Sequence, residues 1–206
     1  MIMYTNITDG PATEIVLPAP PHPPWQAGGV TSNSSDQPAL LAFGPLVDAG
    51  GGTFRLRTAE REDLPAVLRL LADDRLGSGR EDPSDLTPYL AAFEAIDADP
   101  AHLLMAGEWT PGDGTGSRVA ATFQLSFLPG LSRRGSWRAQ LEAVRVAQEL
   151  RSHGVGAAMV QWAIDESRRR GCSLMQLTTD KSRTGAHRFY ERLGFSASHE
   201  GMKLAL

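Results

Sequence analysis

Residues 149–160 read ELRSHGVGAAMV. Two glycines, Gly154 and Gly156, stand just where an apolar helical pattern begins. From there Val155, Met159, Trp162 and Ala163 recur at i, i+4, i+7 and i+8, which predicts one buried face of a helix running to about Arg170. Glycine is a poor helix former, so its use at this start points to a close approach to the backbone. The first turn of a helix leaves N–H groups unpaired, and the aligned peptide dipoles place about half a positive charge there. Together these features make an anion site without bulky side chains. The anion is not held by a P-loop, because GxxxxGK[ST] is absent. Nor is this a dinucleotide fingerprint, which needs glycine where Met159 stands. The pattern present is R-x-x-G-x-G, Arg151 to Gly156, directly after the apolar strand WRAQLEAVRV. Taken alone it is equally an ordinary strand-to-helix turn with glycine for close packing.

Working outward, the chain reads as strand TFRLRTA, helix AEREDLPAVLRLLADD and loop RLGSGREDPSD, then helix LTPYLAAFEAIDA. Strands HLLMAGEW and RVAATFQLSFL flank the turn TPGDGTGS as a hairpin. WRAQLEAVRV and the glycine motif follow, then a short strand CSLMQLTT and helix TGAHRFYERLG. One or two closing strands are expected in FSASHEGMKLAL. The class is α+β, a mixed sheet flanked by helices.

Composition bounds the function. The 206 residues suffice for one ordinary domain, and 41% hydrophobic with 21% charged is usual for a globular chain. Residues 1–52 hold eight of the 14 prolines, four acids (Asp9, Glu14, Asp36, Asp48) and no Lys or Arg. They read as a Pro/Gly-rich flexible extension, dispensable for ligand binding, with the folded domain at 53–206. Outside this extension 20 acids face 20 bases, so no nucleic-acid footprint is expected. No apolar run nears the roughly 20 residues that span a bilayer. No secretory leader is read either, and the expected location is the cytoplasm. Cys172 is the single cysteine and reads as structural. No metal-ligand spacing is present.

A second segment gives the glycines a context. AHRFYERLGF, 186–195, places Ala186, Phe189, Tyr190 and Leu193 on one helical face, and Gly194 ends the helix. Paired with Arg151–Gly156 about 30 residues earlier, with a strand between, it resembles the GCN5-related N-acetyltransferase (GNAT) family. The resemblance covers roughly 53–206. It implies a mostly antiparallel twisted sheet of six to seven strands with about four helices, splayed between strands four and five. It also implies acetyl-CoA as co-substrate, with the backbone of Arg151, Ser152, His153, Gly154, Val155 and Gly156 cradling the pyrophosphate. The strand edge at Val144 and Val146 would pair with the pantetheine arm. Lys181 and Arg183 would reach the CoA phosphates, or else form a solvated basic loop. Arg183 departs from the family, many of whose members carry Asn there.

The implied reaction is acetyl transfer to a primary amine by direct attack. An amine of pKa near 10.4 is neutral in about one molecule in 10³ at pH 7, a deficit of roughly 4–5 kcal/mol. A base or relaying water is therefore useful. Glu142 is the candidate, the one acid of WRAQLEAVRV, with strand alternation expected to place it on the side of Val144 and Val146. It would serve equally by binding the substrate ammonium, or it pairs with Arg138 or Arg145. Tyr190 resembles the family's general acid for the departing thiolate; a phenol near pKa 10 is protonated at pH 7. Without the resemblance it reads as a core tyrosine.

The acceptor is the open question. The acids Asp73, Asp74, Glu81, Asp82 and Asp85 favour a cationic amine, whereas Arg133, Arg134 and Arg138 favour an acceptor with a carboxylate. A small-molecule amine is the first expectation and a protein lysine or N-terminus the second. A non-catalytic acyl-CoA-binding module is the rival class. A homodimer is compatible with the family.

Overall fold

The computed structural model describes residues 49–73 and 79–205. The extension up to residue 48 lies outside them, as do residues 74–78 of the acidic loop, Asp74 included.

Strand β1 (Gly52–Thr58) buries Phe54 and Leu56 and exposes Arg55 between them, the alternation of a half-covered strand. Helix α1 (Leu64–Ala72) turns Leu64, Val67 and Leu68 inward. Its approach is fixed by Asp63, which accepts two N–H groups of Arg57 (2.5 and 2.9 Å) and the backbone N–H of Glu60 (2.8 Å). Helix α2 (Thr87–Asp97) buries Phe93 against Ala59, Leu64 and Ala106. Strands β2 (His102–Pro111) and β3 (Arg118–Pro129) form the expected antiparallel hairpin. A four-residue turn α3 (Ser132–Gly135), with Arg133 and Arg134 left-handed, leads into β4 (Trp137–Val146). Helix α4 (Val155–Arg169) crosses over to β5 (Cys172–Leu177), which runs parallel to β4, and α5 (Thr184–Arg192) follows.

The sheet order is β1-β2-β3-β4-β5, antiparallel except for the last pair. Its α4 face carries the odd residues of β3: Phe123 meets Trp162 at 5.9 Å between ring centroids, and Arg170 lies over the Phe127 ring. Among the described residues the sheet has five strands rather than six to seven. The expected closing strands do not form in 195–205. The Phe195 N–H instead finishes the α5 terminus on the Tyr190 carbonyl (3.1 Å). Met202 and Leu204 stand 96% and 85% exposed, so their alternation has no sheet face to bury against.

The first strand also begins earlier than its sequence suggests. Ala49 is buried, and its carbonyl accepts the Trp109 indole N–H at 2.8 Å. The Gly51 carbonyl accepts the Gly112 N–H at 2.9 Å. Residues 49–52 are thus hydrogen-bonded to the β2 end of the sheet.

Candidate active site

The site is built around the second half of β4. Its ladder with β5 ends at the pair Leu141–Leu177. Beyond that point β4 keeps its β3 partner alone among the described residues. On this free edge the Val144 carbonyl accepts an Arg145 N–H (2.9 Å) and the Val146 carbonyl accepts the Arg151 Nε–H (2.9 Å).

The same stretch carries a bulge. Glu142 faces Gln124 and Arg145 faces Thr122, so Ala143 and Val144 together oppose the single Phe123. Ala143 is left-handed (φ 54°), an uncommon state for a residue with a Cβ. The extra residue inverts the alternation, which corrects the expectation for Glu142. It shares the face of Arg145, Gln124 and Thr122, whereas Val146 stands opposite Ala121 on the other face. Glu142 is solvent-exposed there.

After β4 the chain makes one 3-10 turn that buries Leu150, then winds through left-handed Ser152 (φ 67°) and Gly154 (φ 81°). Gly154 is the N-cap of α4, has no side chain to cap with, and accepts the first intrahelical bond from Ala158 (3.0 Å). The amides of Val155, Gly156 and Ala157 therefore point out of the helix start. The two glycines differ in cause. Gly154 is required by its left-handed backbone. At Gly156 an added Cβ would lie 3.6 Å from the Phe189 ring and 3.8 Å from Val146, ordinary van der Waals contact. Packing inside the protein does not demand glycine there. The expected helical face holds: Val155, Met159, Trp162 and Ala163 are all buried.

The Arg151 side chain turns back onto β4 and to Asp73 beside α1 (3.3 Å), so its backbone rather than its guanidinium lines the turn. His153 Nδ1 is 2.9 Å from the Arg151 carbonyl. Lys181 pairs with Glu200 (3.1 Å) at the surface, both more than 80% exposed. Arg183 is the N-cap of α5, its N–H donated to the Asp180 carbonyl (3.0 Å).

Tyr190 sits between two rings, Phe189 at 5.0 Å and Phe195 at 5.7 Å between centroids, both edge-on. Burial pushes its phenol pKa up, and the charges of Arg145 and Arg183 pull it down by less. The phenol is therefore protonated at neutral pH. Burial lowers the Arg145 pKa, while Tyr190 and then Glu81 favour its charged form and Arg151 and Arg80 oppose it. Tyr190 of α5, Arg145 of β4 and the Arg80–Glu81 loop thus share one electrostatic neighbourhood. Arg145 and Tyr89, which holds Glu81, carry no site signal in the sequence. Arg145 lies beyond a bulge whose left-handed residue is alanine, and Tyr89 reads as an ordinary amphipathic-helix position. Cys172 is half-buried and burial raises its pKa, which suits a structural thiol. No helix among the described residues is long and apolar enough to cross a membrane.

The chain belongs to the acetyltransferase (GNAT) family, whose match spans residues 64–195. An aminoalkylphosphonate N-acetyltransferase of Salmonella typhimurium is 34% identical over 64 residues, 31% of this chain and 42% of that protein. The match thus spans less than half the length of that relative. Among solved structures, a protein of Bacillus halodurans C-125 described as a transcriptional regulator is 41% identical, with TM-score 0.68 over 74% of this chain and 99% of that one. An acetyltransferase of Trypanosoma brucei is 26% identical, with TM-score 0.60 over 74% and 99% of the two chains.

Proposed function

We propose that the protein transfers the acetyl group of acetyl-CoA to the primary amine of a small molecule by direct attack in a ternary complex. The observation that carries this reading is the start of α4. It presents outward amides, one glycine whose handedness requires it, and a second glycine that packing does not require, all beside the free edge of β4.

The donor fits these residues. The backbone from Arg151 to Gly156 would hold the pyrophosphate, where the helix dipole favours anions. Gly156 would leave room that a methyl group would fill. The edge at Val144 and Val146 would pair with the pantetheine amides, which is supported by its carbonyls accepting side-chain rather than strand donors. The end of the β4–β5 pairing at Leu141–Leu177 would leave room for the expected splay of strands four and five. Lys181 and Arg183 would add cationic contacts at the phosphates. Bound acetyl-CoA supplies the thioester.

The chain's own residues then have separate tasks. Glu142, exposed on the Arg145 face, takes the proton of the acceptor ammonium through water. Tyr190, kept protonated by burial, donates its proton to the departing thiolate, the positive charges of Arg145 and Arg183 favour the transient phenolate, and the phenolate recovers a proton from the acylated nitrogen. The relative acting on aminoalkylphosphonates supports a small amine as acceptor.

Replacing Tyr190 by Phe keeps the ring packing and removes the proton. The variant is expected to bind acetyl-CoA as the wild type does and to lose about 10²-fold or more in kcat. Unchanged kcat with a measurable amine acceptor would remove Tyr190 from the mechanism. The relative described as a transcriptional regulator favours a second reading, an acyl-CoA-responsive module without turnover. Binding of acetyl-CoA with no CoA release on any amine would support that reading.

A further inference from the structure

The sheet face turned away from α4 is open along the first half of β4. Ala139 and Leu141 are buried on the α4 face, opposite Phe127 and Leu125. Arg138, Gln140 and Glu142 alternate with them on the other face, the first and last exposed and Gln140 half-buried. The bulge at Ala143 comes after all three, so they keep one side. On β5, Leu174 stands opposite Arg138 and Gln176 opposite Gln140. Leu174 is exposed although it lies within the sheet. Gln176 Nε2 donates to Gln140 Oε1 at 2.7 Å, so one amide pair bridges the two strands at the middle of this face.

The two charges of the face stand too far apart to meet. Arg138 and Glu142 are four residues apart on one strand, about 13 Å between Cα atoms at the rise of a strand. Neither has an ion-pair or hydrogen-bond partner among the described residues. The other exposed arginines of the sheet, Arg55 and Arg118, are paired with Glu108 and Glu149. Arg133 and Arg134 sit in the left-handed turn before β4, outside the sheet register. Of the three arginines that suggest an anionic acceptor, Arg138 alone shares a face with Glu142.

We propose that the acceptor is a small ω-amino carboxylate laid along this face, and that Arg138 binds its carboxylate and sets the specificity. This rests on the transferase reading of the same site, with Glu142 beside the amine. The charges at the two ends of the face complement those of such a zwitterion. A guanidinium takes a carboxylate in two parallel N–H···O bonds. The chain between the two ends crosses Leu174 and the Gln140–Gln176 pair, whose hydrogen bond is already made and costs little further ordering on binding. An α-amino acid has one carbon between its charges, too little to reach from Glu142 to Arg138.

The test measures CoA release from acetyl-CoA by the full chain with 6-aminohexanoate, glycine, hexylamine and cadaverine. It compares the wild type with Arg138→Gln, Arg138→Glu and Arg134→Gln. The wild type is expected to favour 6-aminohexanoate over hexylamine at least about tenfold in kcat/KM, the size of a hydrogen bond to a charged group. Arg138→Gln should bring that ratio near one, and Arg138→Glu should turn the preference toward cadaverine. Arg134→Gln should keep the wild-type ratio. A loss of fold lowers turnover on every amine alike, so the ratios read specificity alone. An unchanged ratio in Arg138→Gln overturns the proposal. So does a wild type that uses glycine or hexylamine as well as 6-aminohexanoate; acetyl transfer then stands and only the acceptor assignment falls. A wild type that releases no CoA with all four amines also overturns it, and calorimetric titration with acetyl-CoA then shows whether the donor site stands.

Discussion

Gly154 and Gly156 sit two residues apart and answer to different physics. At Gly154 the backbone is left-handed, so a Cβ is strained whatever space surrounds it. Gly154→Ala should cost about 1–2 kcal/mol in thermal or urea unfolding. At Gly156 alanine fits the protein and is the better helix former by up to about 1 kcal/mol. Gly156→Ala should therefore leave Tm unchanged or raised, and any loss it causes must appear in ligand binding. Both glycines stand out in the sequence, but nothing there separates them, since a φ angle and the space around a Cβ exist only in three dimensions. The misplacement of Glu142 has the same origin. Alternation is the right rule for WRAQLEAVRV up to Glu142, and one left-handed alanine ends it. Alanine carries no signal for a bulge, whereas glycine or asparagine would have.

At the scale of elements, local signals are strong where a face is buried and weak where it is not. The strand Trp137–Val146 and the start of α5 at Thr184 match the expectation residue for residue. The one or two expected closing strands fail because alternation in Met202 and Leu204 needs a neighbouring sheet edge that the described structure does not bring to them. Helix α4 ends on a charge cluster around the buried carboxylate of Glu166. Burial acts to raise the Glu166 pKa, but hydrogen bonds from Arg169 and Arg170 (each 2.7 Å) outweigh it and hold the carboxyl below its usual value of 4.5. A carboxylate depressed in the folded state stabilises fully above its unfolded pKa. That contribution is lost as pH falls through the folded pKa. Tm should thus fall on acidification below about pH 4.5, and more steeply in the wild type than in Glu166→Gln. Parallel curves for the two proteins would assign the acid loss elsewhere.

For the whole molecule, the charge asymmetry of residues 1–52 suggests a boundary at 52, but β1 starts at Gly52 and the hydrogen bonds of Ala49 and Gly51 tie residues 49–51 to the sheet as well. Deleting 1–48 should preserve Tm and acetyl-CoA binding. Deleting 1–52 should lower Tm by removing the partners of Trp109 and Gly112. Equal Tm for the two truncations would mean that the tie at Ala49 adds nothing. The family and most of the element order are legible in the sequence because two motifs with fixed roles bracket β5. The electrostatic pairing of Arg145 with Tyr190 is not, because β4 and α5 come together only through folding.

If the start of α4 is kept clear for a bound phosphate group, a single methyl group placed there should weaken binding without touching the fold. Calorimetric titration of acetyl-CoA into the wild type and Gly156→Ala measures this. Micromolar binding by the wild type is expected, with at least about tenfold weaker binding by the variant at unchanged Tm. Equal affinity in the two proteins, or no binding by the wild type, would contradict the phosphate reading of Gly156.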